Sequence, residues 1–468
     1  MATRLEHDLI GEKEIPINAY YGVQSLRAQE NFAITGVTLS QFPTFITSLA
    51  KVKKAAALAN YELELLNEKK KDAICEACDE IIAGKLHDQF IVDVIQGGAG
   101  TSTNMNANEV IANRGLELLK HKKGEYKFLH PNNDVNLSQS TNDAYPTAFR
   151  IALFEKIYEL IDSMKVLRTS FSNKAIEFND VIKMGRTQLQ DAVPMTLGQE
   201  FHTYLTMINE DIQRLIECQQ LVREMNLGAT AIGTGINSHP DYACLVEEKL
   251  QEVTGRPFVT AKDLVEATQD TGAYVQISGV LKRVATKLSK ICNDLRLLSS
   301  GPRTGFNEIN LPAMQPGSSI MPGKVNPVIP EVVNQVAFQV IGADVTITMA
   351  SEGGQLQLNV FEPVIAYNLF NSINMMKNAV ETLSIKCVDG ITANKERCEE
   401  LVLHSIGLVT ALNPTIGYEN STSVAKEALD SGRSVYEIVL ERELLTKEEL
   451  DELIKPENMI QPRMVCKK

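Results

Sequence analysis

The sequence predicts a predominantly helical protein whose centre is a bundle of five long helices. The first observation behind this prediction is a set of stretches in which apolar residues recur at i, i+3, i+4 and i+7, the spacing of one helix face. These stretches are 147–178, 196–226, 270–299, 329–350 and 356–386. Each has about thirty residues or somewhat fewer, which at about 1.5 Å per residue gives a length of up to about 45 Å.

The second observation is that several of these helices are apolar on more than one face. The range 332–349 reads VVNQVAFQVIGADVTITM and has no continuous polar side. A helix that is apolar all round must be covered by more than one neighbour. Five helices of one chain leave apolar surface uncovered, so we expect a second copy to pack alongside and the protein to be an obligate homo-oligomer.

The third observation is the change in character along the chain. Residues 1–140 are mixed, with short apolar runs, helices expected near 45–66 and 72–83, and then glycine-rich polar segments. The long helices begin at about residue 143. From about residue 390 the pattern predicts short helices and turns. We find no internal repeat, low-complexity tract or flexible linker.

Composition excludes several classes of function. The chain has 468 residues, 44% of them hydrophobic and 22% charged, and its net charge is −13. Such an acidic balance argues against a nucleic-acid or anionic-membrane partner. The charged N-terminal sequence predicts no signal peptide, and the lack of a run of 18 or more apolar residues predicts no membrane span. Eight scattered cysteines fit reduced thiols in a cytoplasm.

Four polar segments rich in glycine, hydroxyl and amide residues interrupt the helical pattern. They are 96–109, 130–143, 184–194 and 315–327. Any one of them is most simply a loop with a helix cap, because Ser, Thr, Asn and Asp are the usual residues there. Four together, with few of the Lys and Glu residues of an ordinary surface, favour a site whose neutral donors bind carboxylate oxygens.

The segment 315–327, QPGSSIMPGKVNP, is the most informative of the four. Gly317 and Gly323 permit backbone conformations that let successive N–H groups converge on an anion, and Lys324 adds a positive charge. A phosphate-binding P-loop is excluded because five residues separate these glycines and Val325 follows the lysine. GGAG at 97–100 lacks the G-x-G-x-x-G spacing of a dinucleotide fold.

Other catalytic patterns are missing from the sequence. The 7 histidines are dispersed, without the H-x-x-x-H or H-E-x-x-H spacing of a zinc site. Cys75 and Cys78 form a lone C-x-x-C in a stretch expected to be helical, which is better explained as two small residues on a helix face. No G-x-S-x-G elbow marks an acyl-transfer nucleophile.

GSSIMPGKVNP at 317–327 resembles the signature of the aspartase/fumarase superfamily, and the other three polar segments match that family in kind and order. The resemblance covers essentially the whole chain. It implies an all-α, three-domain fold with a mostly helical N-terminal domain (1–142), a central helix-bundle domain (143–393) and a small helical C-terminal domain (394–468). It also implies a homotetramer with a twenty-helix core and active sites shared between three subunits.

Within the superfamily the motifs resemble the aspartase branch. QGGAGTSTNMN and SQSTND are similar to its forms, and position 188 is Gln where fumarases typically carry His. The resemblance therefore implies reversible elimination of ammonia from L-aspartate to give fumarate. Three alternatives stay open: a fumarate hydratase acting on L-malate, a non-catalytic structural member of the superfamily, and a lyase for another amino acid.

The resemblance also implies roles for individual residues. The base that removes the Cβ proton corresponds to Ser318, on a mobile loop that includes Gly317, Met321 and Gly323. The β-carboxylate would be held by Thr101, Ser140, Thr141 and Ser319. The α-carboxylate would be held by Lys324 and Asn326. The amino group would be surrounded by Asn142, Thr187 and Gln188.

The resemblance implies no required cofactor. Some aspartases respond to divalent cations, but the sequence offers no ligand cluster, so the metal is left unassigned. The expected partners are a small dicarboxylate and further copies of this chain, without nucleic acid or membrane. The segment 417–420, GYEN, matches a C-terminal family segment for which we expect structural or gating importance.

Overall fold

The computed structural model describes residues 2–460. The chain forms two compact units, each assembled from three stretches of sequence. The first unit contains Met1–Ile161, Gln213–Arg283 and Gln339–Met375. The second unit contains Asp162–Ile212, Val284–Phe338 and Met376–Lys468. Helices dominate both units, which confirms the predicted fold class.

The N-terminal part of the chain forms a hairpin and four helices. Strands β1 (Thr3–Asp8) and β2 (Gly11–Pro16) pair antiparallel. The helices are α1 (Val23–Asn31), α2 (Pro43–Glu62), α3 (Glu68–Ile82) and α4 (Thr101–Leu118). Helix α2 starts with a proline, which suits the first helical position because its missing N–H would have no partner there. Helix α3 is capped by Asn67, whose side chain accepts from the backbone N–H of Lys70.

The middle of the chain contains the five long helices and several short elements. In chain order they are α5 (Thr141–Glu177), β3 (Ile182–Thr187), β4 (Gln190–Thr196), α6 (Leu197–Leu221), β5 (Glu224–Met225), α7 (Tyr242–Thr254), β6 (Val259–Thr260), α8 (Leu264–Ala267), α9 (Gly272–Leu298), β7 (Ile309–Asn310), α10 (Val328–Glu352), α11 (Glu362–Lys386) and β8 (Thr392–Ala393). The strands pair as β3–β4, β5–β6 and β7–β8.

Short helices complete the C-terminal part, as the sequence predicts. They are α12 (Lys395–Leu403), α13 (Leu408–Ile416), α14 (Tyr418–Ser431), α15 (Val435–Glu441), α16 (Lys447–Leu453) and α17 (Pro456–Met459). Ser434 and Thr446 form capping boxes at the starts of α15 and α16, each with the glutamate three residues later. An apolar cluster that includes Leu408, Leu412 and Ile438 lies between these helices.

Each unit has its own aromatic core. In the first unit the ring of Phe45 lies 5.2 Å from that of Tyr145 and 5.3 Å from that of Phe370. In the second unit Phe201 lies 5.2 Å from Phe178, and its contact is edge-to-face. Burying each such ring contributes about 2 kcal/mol, so these clusters fix the helices that carry the polar segments.

Helix α10 is apolar on its exposed side as well as its buried side. Phe338, Val345 and Met349 are 63%, 59% and 68% exposed. By length and composition, α10 is the one helix of the described residues that could cross a membrane, and 39% of its most apolar window is buried. The core helices of soluble proteins pass the same test, so one such helix is weak evidence for a span.

Several elements differ from their predictions. Helix α5 has 37 residues and begins at Thr141, so it is longer than expected and includes Pro146. The segment 184–194, expected as a loop, lies within the hairpin of β3 and β4. No alternating pattern of apolar and polar residues marks that segment as strands, and the N-terminal hairpin was likewise not predicted. The three-domain division remains a prediction.

Candidate active site

The segment 97–101 turns into the start of α4 through three successive residues with positive φ. Gly98, Ala99 and Gly100 have φ values of 86°, 56° and 89°. This left-handed turn leads directly into the N-terminus of α4, where the helix dipole favours an anion. Thr101 is exposed, and its hydroxyl donates to the carbonyl of Gly98 at 2.7 Å, which fixes the turn.

Ser140, Thr141 and Asn142 form the start of α5 in the same unit. The Ser140 hydroxyl accepts from the backbone N–H of Asn142 at 3.2 Å, so it acts as the cap. Asn104, one turn after Thr101 in α4, donates through Nδ2 to the Thr141 hydroxyl at 3.1 Å. The structure thus brings four predicted site residues of the first unit to two helix N-termini that are linked by a hydrogen bond.

A fully buried lysine supports this arrangement. The Nζ of Lys53 donates to Oδ1 of Asn104 at 2.6 Å, to Oδ1 of Asn136 at 2.9 Å and to Oε1 of Gln139 at 2.9 Å. Each of the three N–H groups of the ammonium therefore has a hydrogen-bond acceptor. Burial lowers the pKa of Lys53 to about 7, and the nearby charge of Asp143 acts in the opposite direction. Lys53 was not predicted as a site residue because the sequence of α2 has the pattern of an ordinary helix.

Asp143 is a second buried charged residue next to the site. Its carboxylate accepts from the backbone N–H groups of Ser140 (2.9 Å), Thr230 (2.9 Å) and Gly228 (3.2 Å). Burial raises the pKa of Asp143 to about 7, and these N–H donors act against that rise. Asp143 therefore joins the start of α5 to a further polar segment, 226–237.

The segment 226–237 was also missed. It reads NLGATAIGTGIN, which has the same glycine, hydroxyl and amide composition as the four segments singled out. Gly228, Gly233 and Gly235 have positive φ, and so do Thr230 and Asn237. Its glycine, hydroxyl and amide composition is the sequence feature from which this segment could have been predicted as part of the site.

In the second unit, Thr187 and Gln188 lie at the tip of the β3–β4 hairpin. Gln188 and Leu189 have φ values of 54° and 62°, as a two-residue primed turn requires. The hairpin is anchored by the fully buried Glu308, whose carboxylate pairs with Arg186 at 2.8 Å and with Lys183 at 3.2 Å. Arg186 also lies over the Phe306 ring at 4.1 Å.

Ser318 lies half-buried in the 315–327 loop of the same unit. Its hydroxyl oxygen accepts from the backbone N–H groups of Met321 at 3.0 Å and Ile320 at 3.2 Å. Two donors on one oxygen favour its negatively charged form over the neutral hydroxyl. The loop therefore directs two backbone N–H groups at the hydroxyl oxygen of the residue predicted to be the base.

The two ends of the loop are tied together at Gly317. Its N–H donates to the carbonyl of Lys324 at 2.7 Å, and its carbonyl accepts from Nδ2 of Asn326 at 2.7 Å. A Cβ at Gly317 would lie 2.7 Å from the N of Asn326, so glycine is required here for space. Gly323 has a φ of 81°, a left-handed conformation of the kind for which glycine was expected at this position. Ser319, Met321 and Lys324 are exposed.

The predicted site residues thus fall on two helix N-termini in the first unit and on a hairpin tip and a loop in the second. Within residues 2–460, no group of three or more His, Cys, Asp or Glu side chains could hold a metal ion. The first unit contributes neutral N–H and O–H donors, and the second unit contributes one exposed lysine and a serine hydroxyl. Such a set suits a carboxylate substrate that loses a proton next to a carboxylate.

Two family models match the chain. One, described as lyase, matches residues 11–342, and another, described as fumarase C C-terminus, matches residues 408–461. Among solved structures, fumarate lyase:delta crystallin from Brucella melitensis bound to cobalt has a TM-score of 0.96 at 55% identity, covering 98% of this chain and all of that one. A class II fumarase from Schistosoma mansoni has a TM-score of 0.93 at 35% identity, covering 97% and 98%.

Curated relatives are similar over nearly the whole length. Aspartate ammonia-lyase from Helicobacter pylori is 67% identical over 98% of both chains. The proteins of the same name from Pseudomonas aeruginosa and Escherichia coli are 62% and 57% identical, covering 99% of this chain and 98% of theirs. The chain therefore belongs to the aspartase/fumarase superfamily of lyases. Within it, the relatives place the chain in the aspartate ammonia-lyase family, as the motifs predict.

Proposed function

We propose that the protein converts L-aspartate reversibly to fumarate and ammonia by anti elimination, with the site residues in the roles that the resemblance implies. The observation that carries the activity is identity of 57–67% with aspartate ammonia-lyases over 98–99% of the chain. The fumarase alternative is less favoured, because the class II fumarase neighbour is only 35% identical.

The β-carboxylate of the substrate is bound by Thr101, Ser140, Thr141 and Ser319. The geometry supports this role for the first three because they lie at the N-termini of α4 and α5, where the helix dipole favours an anion. Removal of the Cβ proton puts a second negative charge on this carboxylate. Donors that are already fixed in place stabilise that charge without reorganisation.

Ser318 takes the Cβ proton as its alkoxide. A serine is a poor base at neutral pH unless its charged form is stabilised. The two backbone N–H groups that meet its oxygen provide such stabilisation. Closure of the loop over substrate would remove competing water and strengthen these interactions.

Lys324 and Asn326 hold the α-carboxylate, and Asn142, Thr187 and Gln188 surround the amino group. The exposed ammonium of Lys324 offsets locally the negative charge of the whole chain. Gln188 cannot donate a proton as an acid. Ammonium can leave as neutral ammonia, whereas water is a poor leaving group that needs help, so glutamine at this position suits an amine substrate.

The protein acts as a cytoplasmic homotetramer in which three subunits complete each active site. The exposed apolar side of α10 supports the tetramer, because a second copy would cover it. No cofactor is needed for the roles above. The cobalt in the Brucella melitensis structure is compatible with activation by a divalent cation.

The first test is to follow fumarate by its ultraviolet absorbance with L-aspartate and, separately, with L-malate. Signal with aspartate alone is the expected result. Signal with malate alone would make the protein a fumarate hydratase. If neither substrate produced fumarate, a structural role or another amino-acid substrate would be favoured.

The serine base is tested by Ser318→Ala. We expect the rate with L-aspartate to fall by at least about a thousandfold, since the proton acceptor is lost while the bound geometry remains. Ser431→Ala, an exposed serine in α14, is the control and should keep the wild-type rate. Near-normal turnover by a folded Ser318→Ala protein would remove Ser318 from the mechanism.

A further inference from the structure

The segment 226–237, here called the clamp segment, makes direct contacts with Asn142. The Nδ2 of Asn142 donates to the carbonyl oxygen of Ala231 at 2.7 Å. A carbonyl oxygen can only accept, so the amide of Asn142 must turn its NH₂ toward the clamp segment. Its Oδ1 is then on the opposite branch of the amide and has no hydrogen-bond partner within residues 2–460.

A second contact compensates for a proline. Pro146 has no N–H, so the backbone carbonyl of Asn142 lacks the donor that the fourth residue along a helix normally supplies. Asn226 of the clamp segment fills that place, because its Nδ2 donates to this carbonyl at 2.9 Å. Asn226 is only 1% exposed, and its Nδ2 also donates to the hydroxyl of Thr268 at 3.2 Å.

Asp143 and close packing hold the clamp segment in place. The carboxylate of Asp143 accepts from the backbone N–H groups of Gly228 and Thr230. A Cβ at Gly233 would lie 2.3 Å from the Cα of Val265, so the segment lies directly against the start of α8. Ala231 lines the same cavity as Ser140, which places the clamp segment beside the predicted carboxylate site.

We propose that the clamp segment is a positioning element that turns Oδ1 of Asn142 toward the amino group of the substrate. Asn226, Asp143 and the carbonyl of Ala231 are its positioning groups. An ammonium has three donors and no acceptor, so a bare carbonyl oxygen suits it, while the NH₂ branch of the amide would repel it. The inference rests on the proposed function, in which Asn142 faces that group.

The reverse reaction tests the proposal, because fumarate and ammonium are then separate substrates. In Asn226→Ala, the carbonyl of Asn142 loses its donor and the amide loses its fixed orientation. We expect the KM for ammonium to rise about tenfold, the effect of one hydrogen bond to a charged group. The KM for fumarate should stay within about twofold, since the carboxylate contacts are untouched.

Asn113→Ala is the matched control. Asn113 is also fully buried, and its Nδ2 donates to the carbonyl of Tyr20 and the hydroxyl of Tyr126. It touches neither Asn142 nor the clamp segment in the described chain. A general loss of packing would affect both variants alike, whereas we expect the KM for ammonium to change in Asn226→Ala alone.

A second variant, Asp143→Asn, is used if Asn226→Ala does not fold. Its amide oxygen still accepts from the N–H of Ser140 in the carboxylate site, while its NH₂ faces the N–H groups of Gly228 and Thr230 in the clamp segment. We therefore expect the same selective rise in the KM for ammonium. Equal changes in both KM values, or unchanged values in a folded variant, would overturn the proposal. A wild-type protein that forms no aspartate from fumarate and ammonium would instead overturn the proposed function.

Discussion

Lys53 is a charged residue without any exposed surface, and it lies beneath the residues that start α4 and α5. A buried ammonium is unfavourable unless its protons are all bound. Here three amide carbonyl oxygens bind them, which also fixes the orientation of the Asn104, Asn136 and Gln139 side chains. The amide of Asn104 can then present its NH₂ to Thr141.

We predict that Lys53→Met lowers the free energy of unfolding by about 3 kcal/mol, because three buried oxygens lose their donor. The neighbouring Lys54→Met is the control. Lys54 pairs with Asp79, whose side chain is 55% exposed, so its loss should cost less than about 1 kcal/mol. Urea denaturation of both variants measures the difference. Equal midpoints would show that the buried network contributes little.

At the residue scale, sequence motifs predicted the candidate site residues but not the buried residues that hydrogen-bond to them. Thr101, Ser140 and Thr141 lie at helix N-termini, and their role in binding a carboxylate remains a prediction. Gly317 was expected for its conformational freedom, yet the structure requires glycine there for space. Lys53 and Asp143 were missed because burial and hydrogen bonding decide their importance, and neither can be read from residue type.

At the scale of single elements, the hairpin of β3 and β4 shows why local pattern is insufficient. The sequence GRTQLQDAVP contains no Asn-Gly or Asp-Gly turn and little alternation. Its turn places Gln188 and Leu189 at positive φ, which costs a non-glycine residue of order 1 kcal/mol each. The buried pairs of Arg186 and Lys183 with Glu308 hold the hairpin despite that cost.

The start of α4 gives a testable case of a glycine requirement. Gly100 has a φ of 89°, and a Cβ there would lie 2.3 Å from the ring of Tyr145. We predict that Gly100→Ala lowers stability by about 3 kcal/mol or more and reduces turnover, because the Tyr145 ring must move.

Gly36→Ala is the matched comparison for Gly100→Ala. Gly36 also has positive φ, at 73°, but nothing lies within 4 Å of its added Cβ. Conformational strain alone should then lower stability by about 1 kcal/mol. Thermal unfolding and aspartate turnover measure both variants, and a Gly100→Ala protein as stable as Gly36→Ala would show that the ring yields easily.

At the scale of the whole molecule, the long helices were predictable and the connections between them were not. All five helices are present: α9 and α10 match the expected ranges to within two residues, whereas α5 begins six residues earlier, α11 begins six residues later and α6 ends five residues earlier than expected. The apolar period of 3.6 residues that marks a long helix is a local pattern and can be read from the sequence. The hairpins and the clamp segment instead depend on contacts with residues distant in the chain. The expected surplus of apolar surface lies on α10.

The oligomer is tested on that helix. Val345→Glu places a carboxylate on a surface that we expect to be buried between copies, so the tetramer should dissociate and activity should fall with it. Leu429→Glu is the control, because Leu429 is 70% exposed on α14. Light scattering after size-exclusion chromatography gives the mass. A tetrameric Val345→Glu protein would contradict an interface on this side of α10.

Pro146 has a consequence for redesign of the protein. Because it removes the helix's own donor to Asn142, the start of α5 cannot satisfy its backbone without a side chain from another part of the chain. The helix is therefore not a transferable module. A transplanted α5 would need residues 226–231 with it, or alanine at position 146 so that the helix supplies the missing donor itself. Mutations made only within α5 to change the substrate range would also depend on the contact between Asn226 and the start of this helix.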